Sequence, residues 1–183
     1  MQKNLFQKGN IKLESKNIKL RLVTIEDAEF IYSLRSNLKR SKFLSKIKGT
    51  VQDQKEWIKE YKKREDAGKE YYFIIESKNL EKLGTIRIYN FEGDTFERGS
   101  WIIKEDSPKT TAIESSLLIY EFGFNILNFN KANIVIRKNN QKVIKFHQRF
   151  GLKIKKEDDI NVYFECTKDF YLKEKDKYKH FFE

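Results

Sequence analysis

Along the chain, apolar residues recur with two different periods, and the switches between them mark out the elements. Ile18, Leu20 and Leu22 alternate with Lys19 and Arg21, which predicts a half-buried strand over 18–23. Residues 24–27 offer caps for a helix running through Ala28, Ile31 and Leu34. A second helix is predicted from Thr50 to about Arg64, with Val51, Trp57, Ile58 and Tyr61 on its apolar side. Strands follow at 71–76 and 83–89, joined through 79–82, and another at 99–104. Next, Ile113, Leu117, Tyr120, Phe124 and Leu127 keep a helical spacing. Leu118, Ile119, Phe122 and Ile126 make the other side apolar too, so this helix should be largely buried. A strand at 132–137, a short helix at 140–150 ended by Gly151, and strands at 152–155 and 161–167 complete the chain. The order is strand, two helices, three strands, buried helix, strand, helix, two strands. It predicts a mixed α/β fold with a sheet covered by helices.

Composition narrows the function classes. The 183 residues carry no repeats, and one proline with scattered glycines marks no boundary, so residues 1–183 are expected to form one domain. A single cysteine, Cys166, excludes an intramolecular disulfide, and with only His147 and His180 beside it there is no cluster for a structural zinc. The longest apolar runs, such as 117–120, are too short for a bilayer, and the N-terminus lacks a signal-peptide pattern. A soluble, cytoplasmic protein is the expectation. The net charge of +11 invites anionic partners. Only eight basic residues are arginine, however, and the lysines are spread along the chain, with alternating signs over 173–177. A phosphate-bearing small molecule fits this better than nucleic acid or a membrane, neither of which is expected as a partner.

Three local patterns carry a resemblance. The first is Ile18-Lys19-Leu20-Arg21-Leu22 with Glu26-Asp27-Ala28 and then Leu34-Arg35-Ser36-Asn37. The second is Glu97-Arg98-Gly99-Ser100-Trp101-Ile102-Ile103 leading to Glu114 and the buried helix. The third is Asn140, then His147, then Phe150-Gly151-Leu152. In this order they resemble the GNAT acyl-CoA N-acyltransferases over about residues 17–168, with the ribosomal-protein N-terminal and amino-sugar-nucleotide N-acetyltransferases as the nearest branch. The resemblance implies a central mixed, mostly antiparallel sheet of six to seven strands with a splayed pair, flanked by about four helices. It also implies direct transfer of an acetyl group from acetyl-CoA, as cosubstrate, to a primary amine. The preferred acceptor is a small molecule such as an amino sugar or nucleotide-linked amino sugar, and a homodimer is compatible with it. A protein N-terminus as acceptor, or a binding module that has lost catalysis, are the alternatives.

The same resemblance nominates residues. Trp101, Ile102 and Ile103 lie on the strand that would hold the pantetheine arm. Lys109, Thr110, Thr111 and Ala112 would cradle the pyrophosphate at a helix N-terminus. This turn departs from the family, because no glycine lies between Gly99 and Gly123. Either the threonine hydroxyls join the amides in binding phosphate, or Thr111-Ala112-Ile113-Glu114 is an ordinary capping box that binds nothing. His147 stands where relatives carry a tyrosine that protonates the leaving thiolate, or it is a packing residue. Glu97 is placed to accept the amine proton, or is an exposed residue paired with Arg98 or a lysine. Asn140 would fix the cofactor, cap a helix, or both. Arg35, Phe43 and Trp57 fall in the region that roofs the acceptor, where an arginine among aromatics suits a phosphorylated or sugar substrate. Trp57 could equally be plain core.

Overall fold

A computed structural model describes residues 12–37, 43 and 49–183. Among them, eight strands form one sheet: β1 (Leu13–Glu14), β2 (Ile18–Leu22), β3 (Tyr71–Ser77), β4 (Lys82–Glu92), β5 (Thr95–Ile103), β6 (Lys131–Arg137), β7 (Ile154–Glu157) and β8 (Asn161–Thr167). Their order is β1-β2-β3-β4-β5-β6-β8-β7. Every neighbouring pair is antiparallel except β5 and β6, which run parallel. Five α-helices accompany them: α1 (Ala28–Ser36), α2 (Val51–Asp66), α3 (Thr111–Glu121), α4 (Gln141–Arg149) and α5 (Lys168–Lys175). The GNAT architecture implied by the sequence is present, with eight strands instead of six or seven and five helices instead of four. The additions are β1 and α5. Two residues are too few to show an alternation, and α5 lies in a charge-rich stretch whose anchor is one fully buried side chain, Tyr171.

The sheet is apolar on both faces, and each face has its own core. Tyr71, Phe73 and Ile75 of β3 point to the core built around α3, whereas Tyr72 and Ile74 point to a smaller core shared with Ala28, Ile31, Ile58 and Tyr61 of α1 and α2. This is the two-sided pattern of a covered strand. The α2 helix starts on a capping box in which Thr50 and Asp53 satisfy each other's backbone amides. α3 is buried nearly all round, as its two-sided apolarity predicts. It does not continue as an α-helix to Leu127: residues Phe122–Ile126 open into a π-turn. There Gly123 packs so closely on Phe96 that a Cβ would lie 2.3 Å from the ring.

Two irregularities set the course of β5. Thr85 pairs with Ile102 while Arg87 pairs with Gly99, so Ser100 and Trp101 of β5 stand opposite the single residue Ile86 of β4, and Ser100 takes a positive φ of 47°. This bulge bends the strand. On its other side β5 pairs with β6 only from Thr95 to Arg98. From Gly99 onward the two strands part, and among the described residues β6 offers no pairing to β5 from Gly99 to Ile102.

Candidate functional site

Alternation along β5 places the sequence neighbours Glu97 and Arg98 on opposite faces of the strand, just before the bulge and the splay. Arg98 turns toward α3 and α4 and is only 3% exposed. Its Nη1 donates to Ser116 Oγ at 3.1 Å and, longer, to Tyr120 Oη at 3.5 Å, while its Nη2 lies 3.1 Å from His147 Nε2. The guanidinium also lies over the Trp101 ring, 4.4 Å from its centroid. No carboxylate pairs with it among the described residues, so this is a buried cation held by neutral groups. His147 is fully buried, and burial, helped by the Arg98 charge, holds its pKa well below the usual imidazole range. An arginine can only donate, so His147 Nε2 accepts and the neutral ring carries its proton on Nδ1. That Nδ1 is buried without a partner. His147 is therefore a fixed neutral donor, not the part-protonated acid expected from the sequence.

Glu97 faces the other way and is half-buried. Its Oε1 accepts from Tyr89 Oη at 2.8 Å and its Oε2 from Asn90 Nδ2 at 2.9 Å. Among the described residues neither Arg98 nor a lysine pairs with it, so the alternative of an exposed ion pair is not what these residues show. Gly99 makes this contact possible, because a Cβ there would sit 2.6 Å from the Tyr89 hydroxyl. Beside Tyr89, the Arg87 guanidinium lies between two rings, 4.7 Å from the Tyr89 centroid and 5.3 Å from that of Trp57. Trp57 itself stacks on Tyr61 at 5.7 Å and carries Arg64 over its ring at 5.6 Å. Beyond β5 this face is open: Lys131, Asn133, Val135 and Arg137 of β6 are all exposed.

The turn before α3 answers the question its missing glycines raise. Thr110 has φ −73° and ψ −19°, an ordinary right-handed conformation, and no residue from 104 to 112 has a positive φ. The backbone here does not need glycine. The capping box does not form. Glu114 is fully buried and its carboxylate instead accepts from Ser15 Oγ at 2.6 Å, Asn17 N at 3.1 Å and Asn17 Nδ2 at 2.9 Å, tying the β1–β2 turn to the helix. Thr111 donates its amide to Pro108 O at 3.0 Å and buries its hydroxyl without a partner. It is turned inward, into the fold. The amides of Ala112 and Ile113 have no acceptor among the described residues, and no side chain caps the helix. A cavity of about 340 Å³ opens beside this end, lined among others by Ile113, Phe146, Arg149, Lys177 and His180.

The remaining expected residues spread around these groups. Trp101 bridges the helices flanking the splay: its Nε1–H donates to Ser115 Oγ of α3 at 3.2 Å and its ring packs 5.1 Å from Phe146 of α4. Ile103 packs its side chain against the α3 core, whereas Ile102, on the opposite face of the strand, is buried but belongs to neither core. Lys109 is exposed, and Thr110 and Ala112 are half-buried. Asn140 occupies the N-cap of α4, yet its side chain makes no capping bond. Arg35, at the end of α1, is close enough to Arg87 and Tyr72 for their charges to interact. Phe43 is half-buried, and the residues on either side of it lie outside the described ones. Sequence reading missed Tyr89, Arg87 and Arg64 on the open face. The signal was available, since Arg87 and Tyr89 are two apart on a strand and must share a face. It also missed Arg149, within the helix expected over 140–150, and Lys177, in a tail whose alternating charges suit a solvated surface.

An acyl-CoA fits this arrangement on the structure's own terms. There are two free amides at the positive end of a helix, cationic side chains in the adjoining cavity, an unpaired strand edge, and an orphaned buried donor at His147. Comparison with known proteins agrees. The model of the acetyltransferase (GNAT) domain matches residues 17–153. Among solved structures the chain is similar to apo FdhC, described as a nucleotide-linked sugar GNAT. The two are 41% identical, with a TM-score of 0.88, over 95% of this chain and 99% of that one. Two more distant likenesses concern the fold alone. One is the spermidine N-acetyltransferase from Vibrio cholerae in complex with CoA and spermine, at 18% identity and TM-score 0.75 over 85% and 98% of the two chains. The other is a GCN5-related N-acetyltransferase from Brucella melitensis, at 14% identity and TM-score 0.75 over 94% and 86%. A search of curated protein sequences finds no match. Sheet, splay and family model coincide on the same residues, and the chain belongs to the GNAT family of acetyltransferases.

Proposed function

We propose that this chain transfers the acetyl group of acetyl-CoA to the amine of a nucleotide-linked amino sugar. The observation that carries this is the division of labour across β5: a carboxylate on the open face, and free amides with an orphaned donor on the covered side. The 41% identical relative, described as a nucleotide-linked sugar GNAT, supports the acceptor class.

Acetyl-CoA supplies an acyl group activated as a thioester. Holding the two reactants side by side removes the entropy of their encounter, and this is the larger part of what such a site must do. Ala112 and Ile113 offer their amides, and Lys109, Arg149 and Lys177 their charge, to the phosphates. The side-chain amide of Asn140, unused as a cap, is available to the same ligand. Glu97 is the proton acceptor for the attacking amine, oriented by Tyr89 and Asn90. His147 contributes a hydrogen bond from Nδ1, with its tautomer set by Arg98. Arg35, Phe43 and Trp57 belong to the acceptor side.

The test is a thioester-consumption assay with acetyl-CoA against nucleotide-linked amino sugars, polyamines, aminoglycosides and peptides. Turnover with a nucleotide-linked amino sugar is expected. Turnover confined to polyamines or to peptides with free N-termini would overturn the acceptor assignment.

A further inference from the structure

Outside the groups assigned to the reaction, one cluster stands out. Glu70 is a buried carboxylate that bridges two guanidinium groups, Arg64 through Nε and Arg87 through Nη2. Arg35 approaches closely enough that its charge, with that of Arg64, lowers the pKa of Arg87, the largest cause being burial. Other carboxylates nearby are engaged: Glu65 with Lys62 and Tyr61, and Glu97 with Tyr89 and Asn90. Arg64 and Arg87 therefore share one carboxylate. Arg87 is held between Trp57 and Tyr89, so its fork has a fixed plane, and its Nε is buried without a partner. Arg64 keeps part of its side chain in solvent.

We propose that Arg87 and Arg64 form the site for the diphosphate of the acceptor, and so select nucleotide-linked sugars over cationic amines; this rests on the function proposed above. A forked, aromatic-backed guanidinium is pre-organised for two phosphate oxygens, and surplus positive charge in a half-buried setting calls for an anion. The placement suits the reaction. Tyr89, which orients Glu97, is two residues from Arg87 on β4, about 7 Å along a strand. That is the scale of one sugar ring between a reacting amine and an anomeric phosphate. A polyamine meets two like charges on the same path and is repelled. The phosphates of acyl-CoA have their own amides at the start of α3, on the other side of the sheet.

Arg87→Lys keeps a charge opposite Glu70 while removing the fork, and Arg64→Gln removes charge at the cluster's exposed edge. Each is expected to raise the KM for the acceptor about tenfold or more, to leave the KM for acetyl-CoA unchanged, and to change kcat by less than about threefold. Calorimetric binding of a free nucleoside diphosphate decides the matter independently of turnover, with circular dichroism confirming that the variants fold. Binding to the wild-type chain that weakens about tenfold in either folded variant supports the site. Absence of binding to the wild type, or equal binding by wild type and both variants, overturns it. If nucleotide-linked amino sugars are turned over with unaltered acceptor KM in both variants, the diphosphate site falls while the proposed function stands. A rise in the KM for acetyl-CoA alone would reassign the arginines to the cosubstrate and overturn the proposal.

Discussion

Glu97 and Arg98 are adjacent in sequence and opposite in circumstance. Glu97 stands half-buried on the open face, and both its carboxylate oxygens accept from ordinary neighbours. Arg98 is sealed on the covered face with no counter-charge among the described residues, supported by a serine, a tyrosine, an indole and a neutral imidazole. A carboxylate that must exchange protons with a substrate needs access. A cation that only fixes its neighbours' orientation does not, and burial strengthens each of its hydrogen bonds. The comparison teaches that one strand can carry an accessible carboxylate and a sealed cation one residue apart, because alternation sends them to different environments.

The strongest way to break this comparison is to remove Arg98. Arg98→Ala leaves a cavity together with Ser116 and His147 Nε2 lacking their donor, and should cost about 3–5 kcal/mol. In a chain of this size that lowers Tm by roughly 10 °C. A loss below about 1 kcal/mol in a denaturant melt would mean that the guanidinium is not integral to the covered side. Glu97→Gln should do the reverse. Its kcat should fall about a hundredfold, the scale of a lost general base. Its stability should move by less than about 1 kcal/mol, because the amide still accepts from Tyr89 at a partly exposed site. Unchanged kcat with a shifted Tm would exchange the two roles.

Much of this was legible in the sequence, and the reasons it stopped short are physical. The strands of the two-core sheet and the buried α3 follow directly from period-2 and period-3.6 spacing. Glu97 could be nominated from its position at the head of β5. What alternation alone could not deliver was His147, since a histidine on an amphipathic helix reads the same whether it meets water or a guanidinium. The glycine-free turn misled in the same way. A phosphate cradle is commonly associated with positive φ, whereas Thr110 in this turn is right-handed and no residue from 104 to 112 has a positive φ. Arg87 and Tyr89 were hidden in a strand whose apolar positions dominate its pattern.

His147 supplies a prediction whose sign is fixed by its setting. Its folded-state pKa is depressed, while the unfolded imidazole titrates near about 6.5. Below that pH the unfolded chain binds a proton that the folded chain refuses, so stability present above about pH 6.5 declines as pH falls, by about 1.4 kcal/mol per unit from this one group. Comparing denaturant melts at pH 7.5 and pH 5 for wild type and His147→Gln isolates it, because all other titrating groups are common to both. The variant should lose the steeper part of the slope. Parallel pH profiles would show that the ring is not held neutral by Arg98.

The smallest effect concerns the second orphaned group on the covered side, the Thr111 hydroxyl. It resembles His147 Nδ1 in being buried without a partner, yet the backbone around it points to a different role. The Thr111 amide is already committed to Pro108, and the free amides belong to the next two residues. If the hydroxyl only fills space, Thr111→Val removes an unsatisfied polar group at constant shape. Stability should then rise by up to about 1 kcal/mol. The KM for acetyl-CoA should stay within about twofold, since no charge-assisted contact is lost. A KM raised about tenfold without loss of stability would place the hydroxyl in the phosphate cradle. In that event both orphaned groups would be ligand donors, and the covered side would hold as much of the reaction's machinery as the open one.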